Sequence, residues 1–490
     1  MSPKNTDKRR PAEAMYILFL FAFSALFMLI MASAHSPAAP LLYGADQSFF
    51  SSVGSGMLRG RLPYVDYFDM KGPYLFFIQA LGHLIAGTTG IFILEVINFF
   101  IALLLIDRCA KLILGEKTSF IPRFICQLPP LFFLCISIEY GNMTEEWSLV
   151  PLLLCLYLFA RYIFNGQNAY QHPPKYAFVY GCCFSFLTLI RITNAVLICA
   201  LVFTAMVSLL YRKKFKCLLK NAVAFILGFT ATALPVLVWC VHLGILDEML
   251  DCVFVFGFQY GVNGSGLRLT PIMFSLLFFL LGPLVYGKDT DRRFTLFIIV
   301  SFLATLYSFT LGNLYNHYFT LLTPYIALGS IWLVGSFLDC MVKKWRRSAA
   351  VCIVAVCIAA NLFFAMQSVW NSIENILQID NLDEYYAAAE LGAMIPEDER
   401  DSVFGYVRSY KFFEINQIDN WSKYCSWQES YIRLRPEIRL ELEESLTAEP
   451  PEWIVVSRNY LKSFTFLKEL LQSSYLEAGA NDYYLLYRLS

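Results

Sequence analysis

The chain has 490 residues, 58% hydrophobic and 16% charged, a balance that excludes an ordinary soluble globular protein and makes the bilayer its solvent. Lys+Arg and Asp+Glu both number 38, so the net charge is zero and nothing points to nucleic acid or to a polybasic protein of the membrane surface. Most of the 14 cysteines, Cys182, Cys183, Cys199, Cys352 and Cys357 among them, sit in apolar runs as small hydrophobes; no CxxC or Cys/His ligand spacing supports a disulfide framework or a zinc site.

Lys4, Lys8, Arg9 and Arg10 precede an apolar run over 15–34. Ala32-Ser33-Ala34 would suit a signal-peptide cleavage site, but a run of about 20 residues crosses a hydrocarbon layer of roughly 30 Å and reads as an anchor with a cytoplasmic N-terminus. Further apolar runs follow at 89–106, 121–138, 148–164, 176–190, 195–211, 220–241, 270–286, 294–311, 317–338 and 349–366, for about eleven spans in all. Strict alternation gathers the basic connections, including Arg212-Lys213-Lys214 and Lys343-Lys344-Trp345-Arg346-Arg347, on the inner side, as the positive-inside rule requires. The opposite connections, 35–88, 139–147, 191–194, 242–269 and 312–316, face outward and carry Asp46, Asp66, Asp69, Glu139, Glu145 and Glu146.

The first outer loop, 35–88, alternates aromatic and apolar residues with isolated charges, and its run 76–86 is apolar but short. It reads as re-entrant or interfacial helices that build a pocket at the bilayer edge. In the second span Glu95 and Asn98 lie one turn apart and read as a structural polar pair. The Gly257–Gly266 stretch lacks the lysine of a phosphate-cradling loop, and the sequons at Asn142, Asn263 and Asn420 carry no weight. From about Gln367 the chain turns polar. The pattern predicts a small extracytoplasmic α/β domain over 367–490: a helix at 371–393, strands at 402–408, 453–457 and 483–488, and a helix at 460–473.

Three features carry a family resemblance. Asp46 opens the first outer loop and is followed by Gly60-Arg61-Leu62-Pro63-Tyr64 and then Asp69-Met70-Lys71-Gly72-Pro73; Gly141-Asn142-Met143-Thr144-Glu145-Glu146-Trp147 leads straight into a span; and Arg191 and Asn194 separate two more. Together they resemble the bacterial polyprenyl-phosphate-dependent glycosyltransferases of GT-C fold, related to the protein O-mannosyltransferases and the lipid A aminoarabinose transferase. Two departures stand out: Gln47 where many members have a second acid, and Gly72 where the family has a proline after the lysine.

The resemblance implies an all-α polytopic domain over 1–366 with its catalytic loop at 35–88. It also implies transfer of a sugar, with inversion, from a polyprenyl-phosphate donor to an envelope glycan, lipid or protein acceptor at the outer face of the cell membrane. Asp46 would be the base, Lys71 and Arg191 would hold the donor phosphate, and Glu145 or Glu146 would orient the acceptor. Tyr64, Asp66, Asp69, Asn194 and His317 would be further donor or acceptor contacts. No tightly bound cofactor is expected; a divalent ion, Mg or Mn, would sit on Asp46 with Glu145 or Glu146. One cation at about 4 Å is worth roughly 4 kcal/mol at an effective dielectric of 20, on the order of a thousandfold in rate if realised in the transition state.

Blander readings stand beside these. Asp46, Asp66 and Asp69 also suit solvated loop acids, Lys71 a snorkelling interfacial anchor, and His317 part of an aromatic belt. The competing functional class is a transporter or lipid flippase, which would concentrate ionisable groups at mid-membrane on two related halves; here the acids cluster in outer loops and no repeated half is visible. A third reading is a non-catalytic scaffold, in which Asp46 and Lys71 would be freely replaceable.

Overall fold

Ten of the expected spans coincide with helices: Pro3–Met31, Pro73–Leu114, Phe120–Ile125 with Leu128–Ser137, Leu149–Phe164, Pro174–Thr188, Val196–Tyr211, Phe215–Leu243, Arg292–Ser308, Thr323–Leu338 and Lys344–Leu377. The computed structural model describes residues 3–39, 44–164, 171–261, 292–310, 315–338, 344–377 and 383–490, so the expected span at 270–286, with Asn263, Gly264 and Gly266, lies outside the described residues. Seven described helical stretches, from Pro11–Met31 to Asn316–Leu338, are long and apolar enough to cross a membrane. The helices over 174–188 and 292–308 are shorter, with 15 and 17 residues.

The chain forms two compact units. The first comprises 1–32, 93–239 and 261–373 and holds most of the spans. Its innermost helix, Thr323–Leu338, buries nearly every side chain, with Trp332 edge-on to Phe294 at 5.2 Å. The N-terminal helix packs into this unit: Phe27 stacks on Phe99 at 4.7 Å, and Glu13 takes both Nη groups of the buried Arg123, whose Nε lies 3.3 Å from Asp107. A buried guanidinium is tolerable there because carboxylates flank it on two sides.

The second unit comprises 33–92, 240–260 and 374–490. The first outer loop supplies a helix over Ala45–Leu58, a turn closed by the Pro63–Tyr67 bridge, and a helical hairpin whose non-helical residues are Ala86 and Gly87. The short apolar run at 76–86 is therefore the first arm of that hairpin. Glycine lets its arms touch: a Cβ on Gly90 would stand 2.0 Å from the Gly82 carbonyl oxygen.

The polar C-terminal region carries a sheet ordered β1-β2-β4-β3, with β1 Val403–Tyr406, β2 Trp453–Ser457, β3 Tyr475–Ala480 and β4 Tyr484–Leu489. β1 and β2 run parallel with Val403 opposite Trp453, whereas β4 is antiparallel to both β2 and β3. The three expected strands fall on β1, β2 and β4. β3 and the helices Lys411–Asn416, Gln428–Leu434 and Glu437–Ala448 are additions. Of the helix expected at 371–393, the described residues show two parts: the last span runs on to Leu377, no Gly or Pro interrupting it, and helix covers Asp383–Gly392; 378–382 lie outside the described residues. The helix expected at 460–473 starts only at Thr465.

Three connections within this unit join the segments 35–88 and 240–260 to the C-terminal region. Asp419 accepts from Arg59 at 2.8 Å, Arg61 at 3.0 Å and the Tyr67 hydroxyl at 3.1 Å. The Phe68 amide donates to the Lys423 carbonyl at 2.8 Å, and the Phe68 ring sits among Phe256, Tyr424 and Tyr431 at 4.9–5.2 Å. Arg435 pairs with Asp251 and lies over Phe256.

Candidate functional site

The residues singled out in the sequence fall into two groups, each within one unit. Asp46, Tyr64, Asp66, Asp69 and Lys71 belong to the second; Glu145, Glu146, Arg191, Asn194 and His317 belong to the first.

Asp46 lies in the first turn of the helix Ala45–Leu58, where the orphan amides and the helix dipole favour a carboxylate. Its neighbour Gln47 is 1% exposed, and its side chain tucks beneath Gly44, whose φ of 90° needs a glycine. A second acid at 47 would put a charge in that buried place, which gives the Gln47 departure a physical reason. Tyr431, from the C-terminal region, lies near both Asp69 and Asp46; burial first, then Asp69, Cys425 and Asp46 in that order, hold its hydroxyl well above the ordinary tyrosine range. Sequence reasoning missed Tyr431, since nothing local distinguishes it from other tyrosines of that region.

The loop from Gly60 to Gly72 is shaped by its own acids. Asp66 accepts the Leu62 amide at 2.6 Å, and Asp69, 6% exposed, accepts the Lys71 amide at 2.6 Å. Tyr64, buried with φ 71°, donates its hydroxyl to the Lys71 carbonyl at 2.9 Å. These three residues therefore set the path that presents Lys71. The Lys71 ammonium lies 5.6 Å from the centre of the Phe50 ring.

In the first unit, residues 139–142 run through four consecutive left-handed conformations, Glu139, Tyr140, Gly141 and Asn142, with φ of 46°, 73°, 85° and 55°. Such a run costs about 1–2 kcal/mol per non-glycine residue and persists only where surroundings enforce it. Glu95 enforces it by accepting the Asn142 amide at 2.6 Å, and a Cβ on Gly141 would meet that same carboxylate at 2.5 Å. Asn98 binds the Glu146 carbonyl at 2.9 Å, and Trp147 donates to the Asn142 side chain at 3.0 Å. Glu95 and Asn98 thus both hold this loop.

The loop leads into a polar chain. His317 binds Glu139 through Nδ1 and its ring meets Tyr318 edge-on at 4.6 Å; Arg191 lies over Tyr318 at 4.0 Å and pairs with Glu145 at 2.6 Å. The structure brings Glu145, Arg191 and His317 together and adds Glu139 and Tyr318. Glu146 is held apart from this chain, its carboxyl facing Glu95 in the interior. Asn194 donates to Ser148 at 2.8 Å and positions that turn. Among the described residues no group of three or more His, Cys, Asp or Glu side chains gathers as a metal site.

No protein-family model matches the sequence, and no curated protein sequence matches it. Solved structures do. The chain superposes on ArnT from Cupriavidus metallidurans bound to undecaprenyl phosphate with a TM-score of 0.64 at 10% identity, over 96% of this chain and 97% of that one. The apo form of the same ArnT gives 0.63 at 11% identity, over 97% and 98%. The chain has the GT-C fold. A third GT-C structure, the archaeal oligosaccharyltransferase AglB from Archaeoglobus fulgidus in complex with an inhibitory peptide and a dolichol-phosphate, matches at 0.52 and 10% identity, over 91% of this chain and 70% of that one. The GT-C fold agrees with the apolar helices in making this a multi-pass membrane protein, and the likeness takes in nearly the whole chain.

Proposed function

We propose that this protein is a membrane glycosyltransferase that moves a sugar from a polyprenyl-phosphate donor to an acceptor at the outer face of the cell membrane, inverting the anomeric centre. The observation that carries the reading is the near-complete, two-way coverage by an ArnT structure holding undecaprenyl phosphate, in a chain that sets Asp46 at a helix start and Lys71 on an acid-shaped turn of the same loop.

In this reading Asp46 takes the proton of the acceptor hydroxyl as its oxygen attacks the anomeric carbon. The bond from that carbon to the phosphate oxygen breaks, and polyprenyl phosphate leaves with the electron pair. Lys71 stabilises the charge gathering on the leaving phosphate, with Arg191 as the second cation, its guanidinium shared with Glu145. The N-terminus is cytoplasmic, the domain over 367–490 is extracytoplasmic, and the acceptor is an envelope glycan, lipid or protein.

The deciding experiment measures transfer of labelled sugar from polyprenyl-phosphate donors into envelope material by membranes holding wild type, Asp46→Asn or Lys71→Ala at matched protein levels. Loss of about 10²–10⁴-fold in Asp46→Asn is expected for a general base. Unchanged transfer in that variant removes the base, and no transfer by wild type with any donor turns the reading towards a flippase.

A further inference from the structure

One cleft of the second unit combines charge, aromatic surface and position. It has a volume of about 620 Å³, opens where β1 and β2 end and includes Ala45, the residue before Asp46. That volume lies within the roughly 300–1,000 Å³ of small-molecule sites. β1 and β2 are parallel, and Arg408, two residues past β1, and Arg458, the residue after β2, both line it. The carboxyl ends of parallel strands are where α/β sheets commonly receive ligands, because the chain leaves both strands there and opens a crevice.

The charge in the cleft is unbalanced. Lys411 is neutralised by Glu384 at 2.6 Å, which leaves Arg408, Arg458 and Lys462 against Asp482. Among the described residues none of these three cations forms an ion pair: Arg458 spends only Nε, on the Asn481 carbonyl at 2.6 Å, and Arg408 lies 5.6 Å from the centre of the Trp427 ring. Trp427 and Asn459, both lining the cleft, hold left-handed backbones with φ of 55° and 62°, which non-glycine residues adopt at a cost and which aims both side chains from fixed turns. Planar arginines beside an aromatic face match an anionic group carried on a sugar: the guanidinium binds phosphate or carboxylate by two hydrogen bonds and the ring offers an apolar surface to the pyranose.

We propose that this cleft is the acceptor subsite and that the acceptor is a glycan bearing phosphate or carboxylate groups, its anionic group on Arg408, Arg458 and Lys462 and a sugar ring on Trp427. The assignment of the cleft to the acceptor rests on the glycosyltransferase reading and on Ala45, which carries the cleft to the residue beside the base.

The test uses the full chain in detergent micelles and isothermal titration with three probes: maltotetraose, the same tetrasaccharide carrying one terminal phosphate, and the same carrying one terminal carboxylate. A preference of about tenfold or more for an anionic probe over the neutral one is expected, and Arg408→Ala/Arg458→Ala should reduce it to within about twofold. The two anionic probes tell a phosphate acceptor from a carboxylate one. Should the alanine variant fail to fold, Arg408→Lys/Arg458→Lys keeps the charge but removes the paired hydrogen bonds and should lose about threefold or more. Equal binding of all three probes by wild type, or a preference untouched by either double variant, overturns the cleft. Undecaprenyl phosphate binding by the same samples separates the readings: if it is intact while the preference is absent, only the cleft falls; if it is absent while the preference stands, the donor assignment falls.

Discussion

Arg191 Nη1 stands 2.6 Å from Glu145 Oε1, in a place where the glutamate side chain is 1% exposed and the arginine 19%. The two are a neutral unit, with the guanidinium also over Tyr318. Removing one partner of a buried pair strands the other, at a cost of about 3–5 kcal/mol. Glu145→Gln should therefore lower the thermal midpoint in detergent while tightening undecaprenyl phosphate binding, because Arg191 is no longer shared. Arg191→Ala should lose both stability and lipid affinity. Lipid affinity unchanged in Arg191→Ala would reduce Arg191 to a structural partner of Glu145.

Gly90 faces the Gly82 carbonyl across the helical hairpin with no room for a methyl group. The contact at risk is backbone on backbone, so it relaxes only by parting the arms. Gly90→Ala should destabilise by about 1–3 kcal/mol or more, the cost of overpacking, with a matching fall in the yield of folded protein. A thermal midpoint equal to wild type would show that the arms are not in close contact.

The spans were legible because apolar run length and the position of basic loops are direct consequences of bilayer physics, whereas the short run at 76–86 read only as a re-entrant or interfacial helix and not as one arm of a hairpin. The chemistry of single residues was less so. Asp66 and Asp69 look like the other acids of the outer loop, yet each spends an oxygen on a backbone amide of its own turn, at Leu62 and Lys71. Glu95 and Asn98 looked like a pair because they lie one helical turn apart; their partners, Asn142 and Glu146, lie more than forty residues on. Tyr431 carried no local signal, and Glu139 only that of one more acid in a connection expected outside, since what marks both is a neighbour brought close by folding. β3 escaped notice because Gly479 and two alanines, Ala478 and Ala480, dilute the strand pattern and a bulge falls within it.

Asp419 gathers Arg59, Arg61 and the buried Tyr67 hydroxyl. Arg59 is 49% exposed and contributes little, whereas the Tyr67 hydroxyl, in a residue 2% exposed, would be left without its acceptor. Asp419→Ala should cost about 1–3 kcal/mol in local opening of the loop. Amide hydrogen exchange at Arg61, Tyr64 and Phe68, which donate to Gly56, Tyr67 and Lys423, should speed up by the corresponding factor. Exchange unchanged at all three would mean that the Phe68 cluster alone holds the loop.

Glu414 supplies the pH dependence. Its Oε2 is sealed from solvent without a hydrogen-bond partner, and burial drives its carboxyl well above the ordinary 4.5, only partly offset by the Ser51 hydroxyl. The folded state therefore holds a proton that the unfolded chain releases. The resulting stability is fully present below about 4.5 and is lost as pH rises through the elevated value. His35, in the same cavity, works the other way: burial, helped by His83, lowers it to about 3, so its contribution is present above the ordinary 6.5 and fades as pH falls towards 3. The two overlap, and a difference between variants separates them. Glu414→Gln keeps the shape and cannot ionise, so its thermal midpoint should hold steady where wild type declines with rising pH, while the acid-side loss from His35 persists. Parallel midpoint curves for the two proteins from pH 4 to 9 would show that Glu414 titrates alike in the folded and unfolded chain.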